Sequence, residues 1–442
     1  MATFRISAIL NAKPACCNEN VNQGARIRKV LAFASSAPAL NASVCVRDLQ
    51  VRATARGVFG GLFPRLVQRQ PSSKRMHKKV RNMCTAAAAA GTSGVYDTEL
   101  SKGYEAVRLA SQLCQKVQRQ LSGDEKQSKN DDSPVTVADY GAQAIVAWSL
   151  QRAFPDTRLR MVAEEDSTDL QGEGNASIRR RITELVNSFI TKEDPTANFS
   201  EQEILDLIDL GNSPGGSEGR HWVLDPIDGT RGFVGGRQYA VCLGMIQDGE
   251  VVVGLLGCPN MPSAVMTPED GTSAALQGIG AEGVGMCFAA QKGGGAHKGL
   301  LTAGLPSEPL LMKNTSDCTQ ARWMESYESR HSSHGTTEDL AKELGISSLP
   351  LRLDSQCKYG ALARGDATVY LRFPPVGYRE KIWDHAAGVV IVSEAGGKVT
   401  DAAGKKLQFG RGRWLDLEGG GIVAACPSLH SQLVDACVKL AA

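Results

Sequence analysis

The chain has 442 residues and carries 49 lysines and arginines against 47 aspartates and glutamates, a formal net charge of +2. So small an imbalance excludes a partner chosen by bulk charge, nucleic acid above all. No apolar run reaches the roughly 18 residues of a membrane-spanning helix, and the length suffices for a large core in two domains.

The charge is unevenly placed. Residues 1–95 hold only two acids, Glu19 and Asp48, among arginines, lysines, serines and alanines. An organelle transit peptide has this composition, and a disordered basic tail is the alternative. A plastid destination is expected ahead of a mitochondrial one, although composition separates the two poorly. The alanine run 86–90 and the small residues 91–94 form a linker. Folded sequence is expected as an α+β domain over 96–305 and an α/β domain over 306–442. Of the twelve cysteines, Cys16, Cys17, Cys45 and Cys84 lie in the leader. The other eight show no Cys-x-x-Cys and no histidine at zinc spacing, so they read as small buried hydrophobes, with a redox pair left open.

The first helix is predicted from Leu100, Tyr104, Val107, Cys114, Val117 and Leu121, which share one stripe. A polar loop follows over 122–134. Ala142, Val146, Leu150 and Phe154, spaced by four, then form the buried face of a second helix. Asp139 falls in its first turn and off that stripe, where an acid is a dipole partner worth under about 1 kcal/mol. A short strand over 161–163 runs into Glu164, Glu165 and Asp166, a pattern that a solvated charge run also produces. Peripheral helices and loops occupy 171–219, with a capping box from Ser200 to Glu203.

At 222–224 an apolar strand enters Asp225, Pro226, Ile227, Asp228, Gly229 and Thr230. Pro226 should end the strand, Gly229 allows close backbone approach, and Thr230 stands at a helix start. An Asp-Pro turn is the plain reading. Two carboxylates followed by helix N–H groups also suit hard cations beside a phosphate. Runs at 239–246 and 251–258 are joined through Asp248 and Gly249 as a hairpin. Beyond 300 the pattern alternates: strand 351–354, helix 357–362, strand 368–373, helix 384–394 starting at Asp384, and strand 398–401. The sequence contains neither a Walker A string nor His-Glu-x-x-His.

The run from Asp225 to Thr230 resembles the signature of the lithium-sensitive, magnesium-dependent phosphomonoesterases related to inositol monophosphatase. Three further segments resemble the 3′(2′),5′-bisphosphate nucleotidase branch in the same order. They are Thr136–Val137–Ala138–Asp139–Tyr140, Ala163–Glu164–Glu165–Asp166 and Ile382–Trp383–Asp384–His385–Ala386–Ala387–Gly388. The resemblance runs from about Leu100 to the C-terminus.

It implies an α/β fold, a layered αβαβα sandwich. It also implies two or three Mg²⁺ ions on Glu164, Asp225, Asp228, Asp384 and the carbonyl of Ile227. Asp139 and Thr230 would orient the attacking water. Gly229, Thr230, His331, Ser355, Lys358, Arg372 and Asp384 would meet the substrate, with Lys358 and Arg372 on the phosphate that is not cleaved. Arg330 departs from the small residue that relatives carry before the histidine, and it either alters the base pocket or points outward. Elementary electrostatics agrees that such a cluster needs cations. Two carboxylates ~5 Å apart repel by roughly 3 kcal/mol at an effective dielectric of ~20.

The expected activity is removal of the 3′-phosphate from adenosine 3′,5′-bisphosphate (PAP) to give AMP, and from 3′-phosphoadenylyl sulfate (PAPS). Inositol polyphosphate 1-phosphatase activity, or a catalytically weak PAP-binding sensor, is the alternative. Expected partners are these small nucleotides, with neither nucleic acid nor membrane, in a monomer or weak dimer.

Overall fold

The structure, a computed structural model, describes residues 94–122, 134–268, 270, 282–329 and 331–441. The leader, most of the polar loop 122–134 and Arg330 lie outside the described residues.

Helix α1 (Asp97–Ser122) buries the predicted stripe, with acids Asp97 and Glu99 in its first turn and Arg119 in its last, as its dipole favours. Helix α2 (Pro134–Ala153) opens on a proline, whose missing N–H is one that a first turn leaves unpaired anyway. A one-sided stripe was expected of α2. Instead it is buried on nearly every side from Val137 to Leu150. Small alanines and a glycine between the larger residues let neighbours close around it. Gly141 illustrates this: a Cβ there would meet the Leu113 side chain at 3.3 Å. Because α2 starts at Pro134, Asp139 lies a full turn inside the helix, not in its first turn.

Seven strands form the first sheet in chain order: β1 (Met161–Ala163), β2 (Arg220–Asp228), β3 (Ala240–Gln247), β4 (Glu250–Pro262), β5 (Val284–Gln291), β6 (Gly295–Leu300) and β7 (Glu308–Leu310). Only β1 and β2 run parallel. The β3–β4 turn holds Asp248 at φ 51° and Gly249 at φ 79°, the two left-handed residues of the tight hairpin foreseen there. Between β1 and β2 lie helices α3 (Ala176–Glu193) and α4 (Glu201–Asp209), and Ser200 closes the expected capping box with Glu203.

Pro226 does not end β2. The strand runs on to Asp228 with its register slipped between Asp225 and Asp228. Since β1 stops opposite Leu224, the proline lies past the last β1 pair, and a bulge absorbs its missing donor.

The second sheet has the order β12-β14-β10-β8-β9. Its strands are β8 (Trp323–Ser326), β9 (Leu351–Leu353), β10 (Val369–Arg372), β12 (Lys398–Asp401) and β14 (Ile422–Ala425). A separate pair joins β11 (Glu380–Lys381) to β13 (Trp414–Leu415). Helix α5 (Thr230–Val234) is a single turn after β2. Helices α7 (Cys357–Arg364) and α8 (Ala386–Glu394) pack between the sheets, and α6 (His334–Glu343) and α9 (Pro427–Ala441) cover the outer face of the second sheet. With α1 and α2 on the far side of the first sheet, the layers read αβαβα, as expected. Asp384 does not start α8. It ends a 3₁₀ turn, Ile382–Asp384, and α8 begins at Ala386.

All eight cysteines among the described residues are buried and unbridged. No helix of the described residues is long and apolar enough to cross a membrane.

Gly388 sets the contact between the two middle helices. A Cβ there would lie 2.2 Å from the ring of the buried Tyr359. Gly388→Ala is therefore expected to cost about 1–3 kcal/mol in urea unfolding, the usual penalty for overpacking a filled core. A change below about 0.5 kcal/mol would mean that α7 and α8 slide apart freely.

Candidate active site

Three chain segments bring their acids to one cavity of about 250 Å³. Glu164 follows the end of β1, and this exit is held on two sides. The Gln143 side chain of α2 donates to Glu165 O (2.6 Å) and accepts from Glu165 N (3.2 Å). Arg413 Nη2 donates to Ala163 O at 2.5 Å. The β2 bulge presents Asp225 and Asp228, and the 3₁₀ turn before α8 presents Asp384. Carboxylate oxygens of Asp225, Asp228 and Asp384 all lie within 4.8 Å of one another. Asp228 Oδ2 accepts from Gln356 N at 2.5 Å, whereas Asp225 Oδ1 is buried without a hydrogen-bond partner. Oxygen-only donors converging on one point, one of them orphaned, fit a hard divalent cation.

Ile227, Gly229 and Thr230 line the same cavity. Gly229 takes φ 88°, and a Cβ on it would sit 3.0 Å from Ser355 Cβ, so the left-handed turn and the close approach both require glycine. With only one turn, α5 has little macrodipole, and what it can offer an anion is local N–H groups and the Thr230 hydroxyl.

His331, Ser355, Lys358 and Arg372 also line the cavity, all at a distance in sequence from the acids. Ser355 adopts φ 65°, a strained conformation for a serine, and its hydroxyl accepts from Cys357 N (3.1 Å) at the start of α7. Two of these cations are already partly engaged within the fold. Lys358 is buried and gives two bonds to carbonyls, Leu353 O (3.1 Å) and Ser355 O (2.7 Å), so a single N–H is left for a ligand. Arg372 does not offer a free fork, because Glu380 takes its Nε and Nη2 at 2.6 and 2.8 Å. Asp139 stands apart from the lining residues, buried on α2 behind Glu164 and Glu165.

Arg231, Ser326, Asp354, Gln356, Tyr359, Tyr370 and Tyr378 are wall residues that sequence reasoning missed. Tyr378 follows Pro374, Pro375 and Gly377, a turn signal that could have marked a loop at the site. The others carry no local signal.

The model of the Inositol monophosphatase family matches residues 97–441. The chain belongs to the inositol monophosphatase family. A rice (Oryza sativa) protein named 3′(2′),5′-bisphosphate nucleotidase is 48% identical over 344 residues, covering 77% of this chain and 94% of the relative. The Arabidopsis thaliana 3′(2′),5′-bisphosphate nucleotidase 1 is 46% identical, covering 68% and 84%. An Emericella nidulans 3′(2′),5′-bisphosphate nucleotidase is 42% identical, covering 78% and 99%.

In this member of the inositol monophosphatase family the acids are held against their own charge. Glu164 is exposed to solvent yet crowded by surrounding protein, and that crowding, with Asp384, Glu165 and Asp228 nearby, pushes its pKa up to about 8. Burial raises Asp384 to about 6. Asp225 and Asp228 are raised as well, again chiefly by burial. Asp139 is pushed well up by burial and by Glu165 and Glu164.

The unfolded chain ionises these groups at ordinary values, so it loses protons first as the pH rises. Their contribution to stability is therefore intact below about pH 4 and is lost on the way up to about pH 6 for Asp384 and about 8 for Glu164. A divalent cation that replaces the protons offsets the loss. With chelator present, the thermal midpoint should fall between about pH 5 and about pH 8, and added Mg²⁺ should restore more at the higher pH. An equal gain at both values would remove these carboxylates as the ion's ligands.

Proposed function

We propose that this chain is a Mg²⁺-dependent phosphatase that removes the 3′-phosphate of adenosine 3′,5′-bisphosphate to give AMP and phosphate, and that acts likewise on PAPS. The observation that carries the reading is a single cavity in which Glu164, Asp225, Asp228 and Asp384 meet Lys358, Arg372 and His331. Relatives that are 42–48% identical and named as bisphosphate nucleotidases support the choice of substrate.

Glu164, Asp225, Asp228, Asp384 and the Ile227 carbonyl would hold the ions. An all-oxygen donor set favours Mg²⁺ over zinc. Bound there, the ion supplies Lewis-acid charge and a nucleophilic water at neutral pH, which a phosphomonoester needs because its uncatalysed hydrolysis is among the slowest reactions known. Thr230 at the wall would orient that water, and Asp139, buried behind Glu164 and Glu165, is carried over from the family as its partner in that role. Gly229 and Thr230 present N–H groups to the phosphoryl oxygens. Lys358, whose pKa burial lowers to about 8, gives its remaining N–H to the retained phosphate beside Arg372. His331 closes the nucleoside end.

Asp228→Asn is expected to abolish phosphate release, because it removes one ligand charge and leaves its neighbours under-compensated. Assays would compare PAP, PAPS, inositol 1,4-bisphosphate and fructose 1,6-bisphosphate with saturating Mg²⁺. Near-normal turnover by the variant would refute the ligand assignment, and a wild-type preference for either of the last two substrates would refute the nucleotidase reading.

For the acid-poor leader we propose plastid import. A fluorescent protein fused after residues 1–95 is expected inside plastids, and purely cytosolic fluorescence would refute it.

A further inference from the structure

Glu380 is a buried acid that the reaction does not call on, and its surroundings say what it is for. Its side chain is 1% exposed on β11, directly behind Arg372 on β10. Oε1 accepts from Arg372 Nε (2.6 Å), and Oε2 accepts from Arg372 Nη2 (2.8 Å). Oε2 also meets His385 Nε2 at 3.1 Å, and His385 Nδ1 meets the Tyr359 hydroxyl at 2.9 Å. A carboxylate can only accept, so in the neutral ring Nε2 carries the proton and Nδ1 receives the tyrosine hydroxyl. Tyr359 is itself clamped against Gly388 and lies edge-on to Tyr370. The chain Tyr359–His385–Glu380–Arg372 thus runs through the buried His385 and Glu380 and lines the cavity at both ends, with the Tyr359 end fixed by its packing against Gly388.

Glu380, Asp384 and His385 bring potential ligand atoms within 4.8 Å of one another, which could suggest a second metal centre. Both Glu380 oxygens, however, are already committed to the guanidinium and the imidazole. A cation there would have to displace Arg372 from a buried two-bond pair.

We propose that Glu380 is a positioning residue, which grips Arg372 by its Nε–Nη2 edge and so aims the remaining N–H groups at the phosphate that the substrate keeps. The proposal rests on the bisphosphate nucleotidase reading above. It also changes what Arg372 contributes. With its charge largely balanced by Glu380, the guanidinium recognises phosphate by direction more than by net charge.

Two rival roles for Glu380 give opposite or flat results. If it only tempered the charge of Arg372, Glu380→Gln would tighten the bisphosphate. If it only supported the fold, the loss would be the same on every substrate. The measurement is kcat and KM for adenosine 3′,5′-bisphosphate and for 3′-AMP, in wild type, Glu380→Gln, Glu380→Asp, Arg372→Ala and the double variant Arg372→Ala/Glu380→Gln. The preference for the bisphosphate should fall about tenfold in Glu380→Gln, mainly through KM, as expected of one misdirected charge-assisted bond. Glu380→Asp keeps the charge but shortens the reach, and should fall in the same direction by less. It carries the test if the glutamine variant does not fold. In the double variant the preference should fall no further than in Arg372→Ala alone, because the two residues act as one unit. A lower KM, an unmoved preference or additive losses would overturn the proposal. A wild-type enzyme without any preference for the bisphosphate would overturn the functional reading along with it.

Discussion

Four carboxylates line one small cavity, Asp225 buried, Asp228 and Asp384 half-buried and Glu164 exposed, and much of the architecture around the cavity serves to hold them there. Each pair of such charges at about 5 Å costs roughly 3 kcal/mol at an effective dielectric of ~20, so loosely held side chains would swing apart toward solvent. Three of them stay in, because each comes from a short and braced piece of backbone, while Glu164 is exposed despite the bracing of its strand. The exit of β1 is tied by Gln143 and Arg413, the β2 bulge is pinned by the bond from Gln356 N to Asp228, and Asp384 sits in a tight turn ahead of α8. The braces come from distant parts of the chain. Arg413 reaches back across 250 residues to Ala163.

That long reach explains which features were legible in the sequence. The acids of β2, the capping box at Ser200 and the hairpin at Asp248 are local patterns, and each was readable from a few adjacent residues. The stripe of α1 was readable because that helix keeps an exposed polar strip, through Glu105, Lys116 and Gln120, to contrast with its buried residues. The burial of α2 was not, since a helix enclosed on nearly all sides by small residues has no contrast between its faces. Pro226 misled for a related reason. Its missing donor matters only where a neighbouring strand needs it, and the sequence does not say that β1 stops opposite Leu224.

At the site the same division holds. The family resemblance named Lys358 and Arg372, but their partners are a matter of three-dimensional packing. Arg372 and Glu380 are eight residues apart on different strands, and no spacing rule pairs them. Tyr359, His385 and Gly388 belong to segments that look like plain helix in the sequence. Their role as the foundation of Arg372 appears only once α7 and α8 are seen pressed together between the sheets.

The charge of the whole wall follows from these pairings. Arg231 is matched by Glu328 at 2.8 Å, Arg372 by Glu380, and Asp354 by Arg237 at 2.9 Å. Lys358, bonded to carbonyls and not to a carboxylate, is the cation whose charge bears most on Asp228, with its pKa already drawn down by burial to about 8. Against it stand Glu164, Asp225, Asp228 and Asp384, so a wall with these acids ionised repels any phosphate brought to it. Protons and divalent cations both relieve that repulsion, but not equivalently. A protonated carboxyl neutralises itself and offers a phosphate little beyond one weak donor. A cation neutralises its ligands and keeps charge on the side facing the substrate. The same acids therefore describe two conditions of one wall. In the first, held by protons, the fold is stable and phosphate gains little. In the second, loaded with cations as proposed, the positive charge that would admit a phosphate would also be the charge that its transfer calls for.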